Sequence, residues 1–171
     1  FERAMLSIKD RLTKTAVAVQ LPLGVEENHK GIIDLVRMKA YIFDDTSKGQ
    51  KFDTVEIPAD YKAQADDARE KLIEMVAEVD DTLAERFLEG DTSFSTEEIL
   101  TALRKGTLSH KCVPVLCGSA FKNKGVQQLL DAVIDFLPSP VDIPDVQGQD
   151  PDDAEKKLSR KAADDAPFAG L

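Results

Sequence analysis

The stretch KCVPVLCGSAFKNKGVQQLLDAVIDFLPSP, residues 111–140, decides the fold. Its first part, Lys111 to Ala120, is a near-continuous apolar run, which predicts a strand buried on both faces of a parallel sheet. A short polar loop, FKNKG (residues 121–125), follows. Apolar residues then recur at helical spacing as Val126, Leu129, Leu130, Val133, Ile134 and Leu137. Pro138 and Pro140 end that helix, because proline offers no amide to continue the ladder. Strand, loop and helix make a half-unit of a doubly wound fold, in which ligands bind at the carboxyl ends of the strands. Gly118-Ser119-Ala120 sits at that end. Small side chains there let backbone N–H groups approach a ligand. The Ala120 amide can donate, the Ser119 hydroxyl can brace the loop, and Phe121 or Lys122 can cover a flat ligand by stacking or alkyl packing.

Working toward the N-terminus, the segment before this unit reads differently. Residues 1–12 carry Met5, Ile8 and Leu12 at helical spacing and read as the last turns of a helix. Alternating runs at 16–24, 31–37, 39–43 and 51–57, broken by polar turns such as DDTSKGQ, predict a small, mostly antiparallel sheet. A long helical stretch opens at Pro58 and Asp60. Its apolar stripe is Ala68, Leu72, Met75, Val76, Val79, Leu83 and Phe87, with a break at Asp80-Asp81 and an end at Gly90. Ser95 and Glu98 form a capping box that starts a further helix at about residue 96, closing at Gly106. Beyond Pro140 the text turns to Pro, Asp and Gly without periodicity, as a linker does. The organisation read from the chain is therefore a helix end (1–15), an inserted α+β module (16–106), a return to a parallel-sheet strand and helix (107–140), and a linker with the start of a second domain (141–171). The fold class is α/β: an α+β insert on an incomplete doubly wound sheet. The chain opens on Phe1 and closes on apolar PFAGL, so both ends read as cut from a longer protein.

Composition narrows the function. The chain has 171 residues, with 42% hydrophobic and 32% charged, a globular balance. No run approaches a membrane span, and the charged N-terminus is no signal peptide, so the reading is cytoplasmic. The net charge of −10 repels phosphate backbones and argues against direct nucleic-acid binding. Between Asp60 and Glu98 stand thirteen Asp or Glu against four Lys or Arg, either a solvated face or a docking surface for a basic partner. Cys112 and Cys117 are an odd number apart on one strand, so they face opposite ways and form neither disulfide nor shared metal site. His29 and His110 are the only histidines and lie far apart in sequence. No metal site or catalytic constellation is expected.

The segment VPVLCGSAFKNKGVQQLLDAVIDFLPSPVDIP (113–144) closely resembles the C-terminal part of the GTP-binding domain of bacterial elongation factor G. VQLPLGVEENHKGIIDLVRMKAYIF (19–43) resembles the start of that family's inserted subdomain. VEIPADY, FLEGD and EEILTALRKGT also follow its pattern, and 146–171 resembles the linker and first strand of its second domain. The resemblance implies a P-loop GTPase-type fold in a translational GTPase that drives translocation on the ribosome. It implies that Ser119 and Ala120 contact the guanine base, the Ala120 amide donating to guanine O6, with Phe121 flanking where the family often has Leu. GTP or GDP and Mg²⁺ would be cofactors of the parent protein, none being expected on this piece alone. The inserted subdomain would meet the ribosomal stalk protein through its acidic helices.

The sequence also lacks essential parts of such an enzyme. No G-x-x-x-x-G-K-[ST] occurs; Gly106-Thr-Leu-Ser-His-Lys111 lacks the second glycine and the hydroxyl, so nothing cradles the β- and γ-phosphates. Asn123-Lys124-Gly125 is not the base-reading N-K-x-D. The expectation is that this chain alone hydrolyses no GTP and holds guanine nucleotides very weakly. The alternative is a stand-alone acidic protein-binding module without nucleotide activity. On stability, the inserted module is expected to fold alone, with residues 107–138 the softer part, since the strand at 113–117 lacks its parallel neighbours and the helix after it exposes its apolar stripe.

Overall fold

In the computed structural model, which describes residues 1–150, 153, 155–163 and 165–166, the chain forms two compact units, Phe1–Phe136 and Leu137–Leu171. The first opens with helix α1 (Glu2–Arg11), whose Met5 and Ile8 are half-buried while Leu6 and Leu12 stay largely exposed. The run at 16–24 does not form one strand. It divides at Val19 into β1 (Ala16–Ala18) and β2 (Gln20–Leu23). The reason is that each half serves a different sheet: the Val19 amide donates to Val115 O at 3.0 Å, while its own carbonyl accepts from Leu35 N at 3.0 Å.

Strand β2 begins an antiparallel meander with β3 (Gly31–Asp34), β4 (Lys39–Phe43) and β5 (Phe52–Val55), in the order β2-β3-β4-β5. The β3–β4 turn is closed by the buried carboxylate of Asp34. It accepts from the Val36 and Arg37 amides at 2.8 and 2.9 Å and from the Arg37 guanidinium at 3.0 Å. Such side-chain to backbone bonding is what favours Asp at turns.

Three helices follow. In α2 (Ala59–Val79), Ala65, Leu72, Ile73, Val76 and Ala77 are buried. Asp80 then breaks the run, taking an extended conformation and capping α3 (Asp81–Leu88) by accepting from Thr82 and Leu83 amides. Ser95 and Glu98 make the capping box that opens α4 (Thr96–Leu108). Arg86 knits this corner together, donating to Asp91 at 2.8 Å and Glu98 at 2.5 Å with its cation over the Phe94 ring. Gly106 does not end α4, which runs on to Leu108. Glycine stands there for room: a Cβ would lie 2.6 Å from Cys112 Sγ and 3.1 Å from a Val79 methyl.

The return segment corrects two expectations. Strand β6 (Val113–Val115) has one parallel neighbour, β1, with Ala16 opposite Val113. It is not buried on both faces, because Val113 is 42% exposed and the next two residues half-buried. In α5 (Val126–Phe136) the inward residues are Gln128, Ala132 and Phe136. The stripe of Leu129, Leu130, Val133 and Ile134 faces outward, as the exposed stripe expected from the sequence. One buried cluster, running from Val17 through Leu35, Leu72, Ile99 and Leu103 to Phe136, unites the first unit.

The second unit contains more order than a linker: β7 (Val146–Gln149) and β8 (Lys157–Arg160) form an antiparallel hairpin. Of the stretch 146–171, read as the linker and first strand of a second domain, residues 151, 152, 154, 164 and 167–171 lie outside the described residues.

Candidate functional site

The Ser119 loop is built from backbone outward. Past β6 the chain turns in a tight hairpin in which Ser119 and Lys124 form an isolated antiparallel bridge. Ser119 N donates to Lys124 O at 2.8 Å, Lys124 N to Ser119 O at 3.0 Å, and Asn123 N to Ala120 O at 3.2 Å. Closing so short a loop requires left-handed backbone, supplied by Asn123 (φ 53°) and Gly125 (φ 87°). Gly118 is needed for closeness, since a Cβ there would stand 2.7 Å from Lys124 O.

The hairpin leaves donors in reserve. Among the described residues, no acceptor reaches the backbone amides of Ala120 and Phe121. Ser119 is half-buried, Ala120 exposed, and the Phe121 ring 98% exposed at the tip. Below it lies an open crevice of about 480 Å³, lined in part by Pro22, Gly24, His29, Cys117, Gly118 and Ser119. Its lining reaches the loop at Ser119; Ala120 and Phe121 stand past it.

Lys124 and Gln127, which sequence reading missed, hold this loop together with Lys122, which was expected to cover the ligand and instead reaches a backbone carbonyl. Lys124, 3% exposed, extends its ammonium to His29 O at 2.9 Å and to Asp45 Oδ1 at 2.6 Å. Lys122 Nζ lies 3.4 Å from Glu27 O, and Gln127 Nε2 donates to Gly49 O at 3.0 Å. These partners come from the loops before β3 and between β4 and β5. No local pattern signals them, because each pairing joins residues far apart in sequence.

The electrostatics are uneven. Burial, foremost, lowers the His29 pKa; a backbone bond with Gly24 opposes this, and the charges of Lys124 and Lys122 add to it. Its buried Nε2 has no partner in the structure. Burial pushes the Cys117 thiol up to about 12 and Cys112 upward as well, so neither is a nucleophile at neutral pH. The two thiols are free. Among the described residues no group of three or more His, Cys, Asp or Glu is placed to hold a metal ion.

A parallel strand pair, a four-stranded antiparallel meander and the helices packed on them define the class: a mixed α/β architecture that carries an antiparallel module. Residues 50–139, more than half of the chain, match the family described as the elongation factor Tu GTP binding domain, and the chain belongs to that family. Its mixed α/β fold is that of a translational GTPase-type domain with an inserted subdomain. A crystal structure of a protein from Thermus thermophilus has the same fold, with a TM-score of 0.70 and 24% identity over 85% of this chain. This chain spans 22% of that protein's length. Among the described residues no helix is long and apolar enough to cross a membrane.

The family implies a guanine nucleotide, and the residues present fit it unequally. Two unengaged amides beside a crevice roomy enough for a purine ring suit a base. Nothing here suits phosphates or Mg²⁺, since the glycine-rich phosphate loop is not in this sequence.

Proposed function

We propose that this chain is the base-reading corner and inserted subdomain of a ribosomal translocation factor of the elongation factor G type. Ser119 and Ala120 contact guanine, the Ala120 amide donating to O6, and Phe121 flanks the ring. The observation that carries this reading is the pair of unengaged amides at Ala120 and Phe121, presented by a hairpin that Ser119 and Lys124 close and whose Ser119 lines the crevice. A carbonyl acceptor such as O6 satisfies an amide donor; the amino group at the same position of adenine does not. The phosphates of a bound GTP or GDP and their Mg²⁺ would have to be held by residues outside this sequence, which carries no phosphate loop. The division into helix end (1–15), insert (16–106), return segment (107–140) and linker (141–171) belongs to the same proposal, as does a cytoplasmic setting.

The insert contributes a partner surface. Asp66, Asp67, Glu70, Glu74 and Glu78 lie along α2, with Glu85 and Glu89 beyond, and most of them are exposed. That face suits a basic protein, which we assign to the ribosomal stalk. The same acidity supports the second reading, a docking module with no nucleotide role. Two assays separate them. A longer protein with the upstream sequence restored should hydrolyse GTP with ribosomes and lose turnover when Gly118→Val distorts the loop. Labelled stalk protein titrated against this chain should bind in low salt and release as salt rises. Turnover indifferent to Gly118→Val would refute the base-reading role, and a chain that ignores stalk protein at low salt would refute the docking role.

A further inference from the structure

A lysine ammonium removed from water needs its counter-charge and acceptors inside the protein. Lys124 is such a group, with its side chain 2% exposed. Its backbone closes the hairpin that carries Ser119, Ala120 and Phe121. Its side chain leaves that hairpin and reaches the antiparallel module, donating to His29 O at 2.9 Å and pairing with Asp45 at 2.6 Å. A second contact repeats the link: Gln127 Nε2 donates to Gly49 O at 3.0 Å. A third is steric, since a Cβ on Gly49 would lie 2.5 Å from Asn123 O. Both loops of the insert that face the hairpin therefore grip it, and Lys124 is the charged member of that grip that is wholly enclosed.

We infer that Lys124 is the positioning residue of the hairpin, locking Ser119–Phe121 to the inserted sheet through His29 and Asp45, so that the loop between β4 and β5 sets the hairpin's geometry. The inference rests on the base-reading proposal only for its functional consequence. The pair is unequal: Asp45 is 80% exposed while its partner is enclosed. A charge or a partner that engages Asp45 from outside thus acts directly on a buried ammonium beneath the loop. The Lys124 bond in turn holds the Asp45 carboxyl below the usual carboxylate range, so the pair stays formed in mild acid. Without Asp45, the ammonium keeps one carbonyl acceptor and no counter-charge, a costly arrangement in low dielectric.

Amide hydrogen exchange on the whole chain, followed residue by residue, tests this without any nucleotide. Asp45→Asn changes an exposed side chain and leaves the core intact. The bonded amides of Ser119, Asn123 and Lys124 should exchange at least about tenfold faster, the scale of one charge-assisted bond. The Leu103 amide in α4 should keep its rate, and Asp45→Glu should restore the hairpin rates by returning the carboxylate. Lys124→Met should give the same pattern more strongly. The inference is overturned if Asp45→Asn leaves the hairpin rates unchanged, or if Leu103 accelerates by the same factor. The base-reading proposal is judged separately, by nucleotide affinity in the longer protein. A loosened hairpin with unaltered guanine preference would uphold the positioning role and sink the base contact.

Discussion

Gly106 and Cys112 stand so close that a Cβ on the glycine would lie 2.6 Å from the Cys112 sulfur. Helix α4 therefore carries a glycine in its interior, against local preference, to let the start of β6 and Val79 of α2 approach. Two effects compete in Gly106→Ala. Helix propensity favours alanine by about 1 kcal/mol, whereas overpacking a closed core costs about 1–3 kcal/mol. Cys112 is 1% exposed and enclosed on every side. Net destabilisation is expected, read as a lower urea midpoint; a raised midpoint would show that the contact yields.

The two thiols offer a chemical check. With Cys117 pushed up to about 12 and Cys112 raised by burial, a disulfide reagent at neutral pH should label neither at an appreciable rate. In denaturant both should react at once. Rapid labelling of Cys117 in the native chain would mean that the strand end is open.

His29 sets a dependence on pH. Burial first, then the Lys124 and Lys122 charges, hold its pKa below 6.5 in spite of the Gly24 bond. The unfolded chain thus binds the proton more readily than the folded one. The associated stability is complete above about pH 6.5 and is lost as pH falls through that value toward the folded pKa. The urea midpoint should drop in that window, and His29→Gln should flatten the slope there. An unchanged slope would contradict the assignment.

Helix α5 makes opposite predictions for its two faces. Ile134 is 75% exposed, so Ile134→Glu should alter stability by less than about 0.5 kcal/mol while improving solubility. Phe136 is 6% exposed and joins the core cluster, so Phe136→Ala should cost about 3 kcal/mol or more. A costly Ile134→Glu beside a mild Phe136→Ala would mean that the helix packs by the other face.

These cases also mark how far the sequence could be read. Asp80 as a helix break, Ser95 with Glu98 as a cap, and the 39–43 strand were legible because each signal is local: a side chain bonding its own neighbours, or a period of two. The split at Val19 was not, since the reason for it is Val115, far along the chain. Gly106 read as a helix end because closeness to Cys112 leaves no trace in its neighbours. Around the candidate site, the small residues at 118–120 were visible. Lys124 looked like one more charge in a polar loop, because its enclosure depends on His29 and Asp45 from the insert. The hairpin at 146–160 was missed because Pro, Asp and Gly mask a short pair of strands.

The proposed bond from the Ala120 amide to guanine O6 is probed, in a protein with the upstream sequence restored, by comparing GDP with the diphosphate of 2,6-diaminopurine riboside, which replaces O6 by an amino group. The analogue should bind more weakly by about 1–3 kcal/mol, the cost of leaving a donor unpaired, with the Ala120 amide resonance shifting on GDP alone. Equal affinities, with the Ala120 resonance unmoved by GDP, would contradict it.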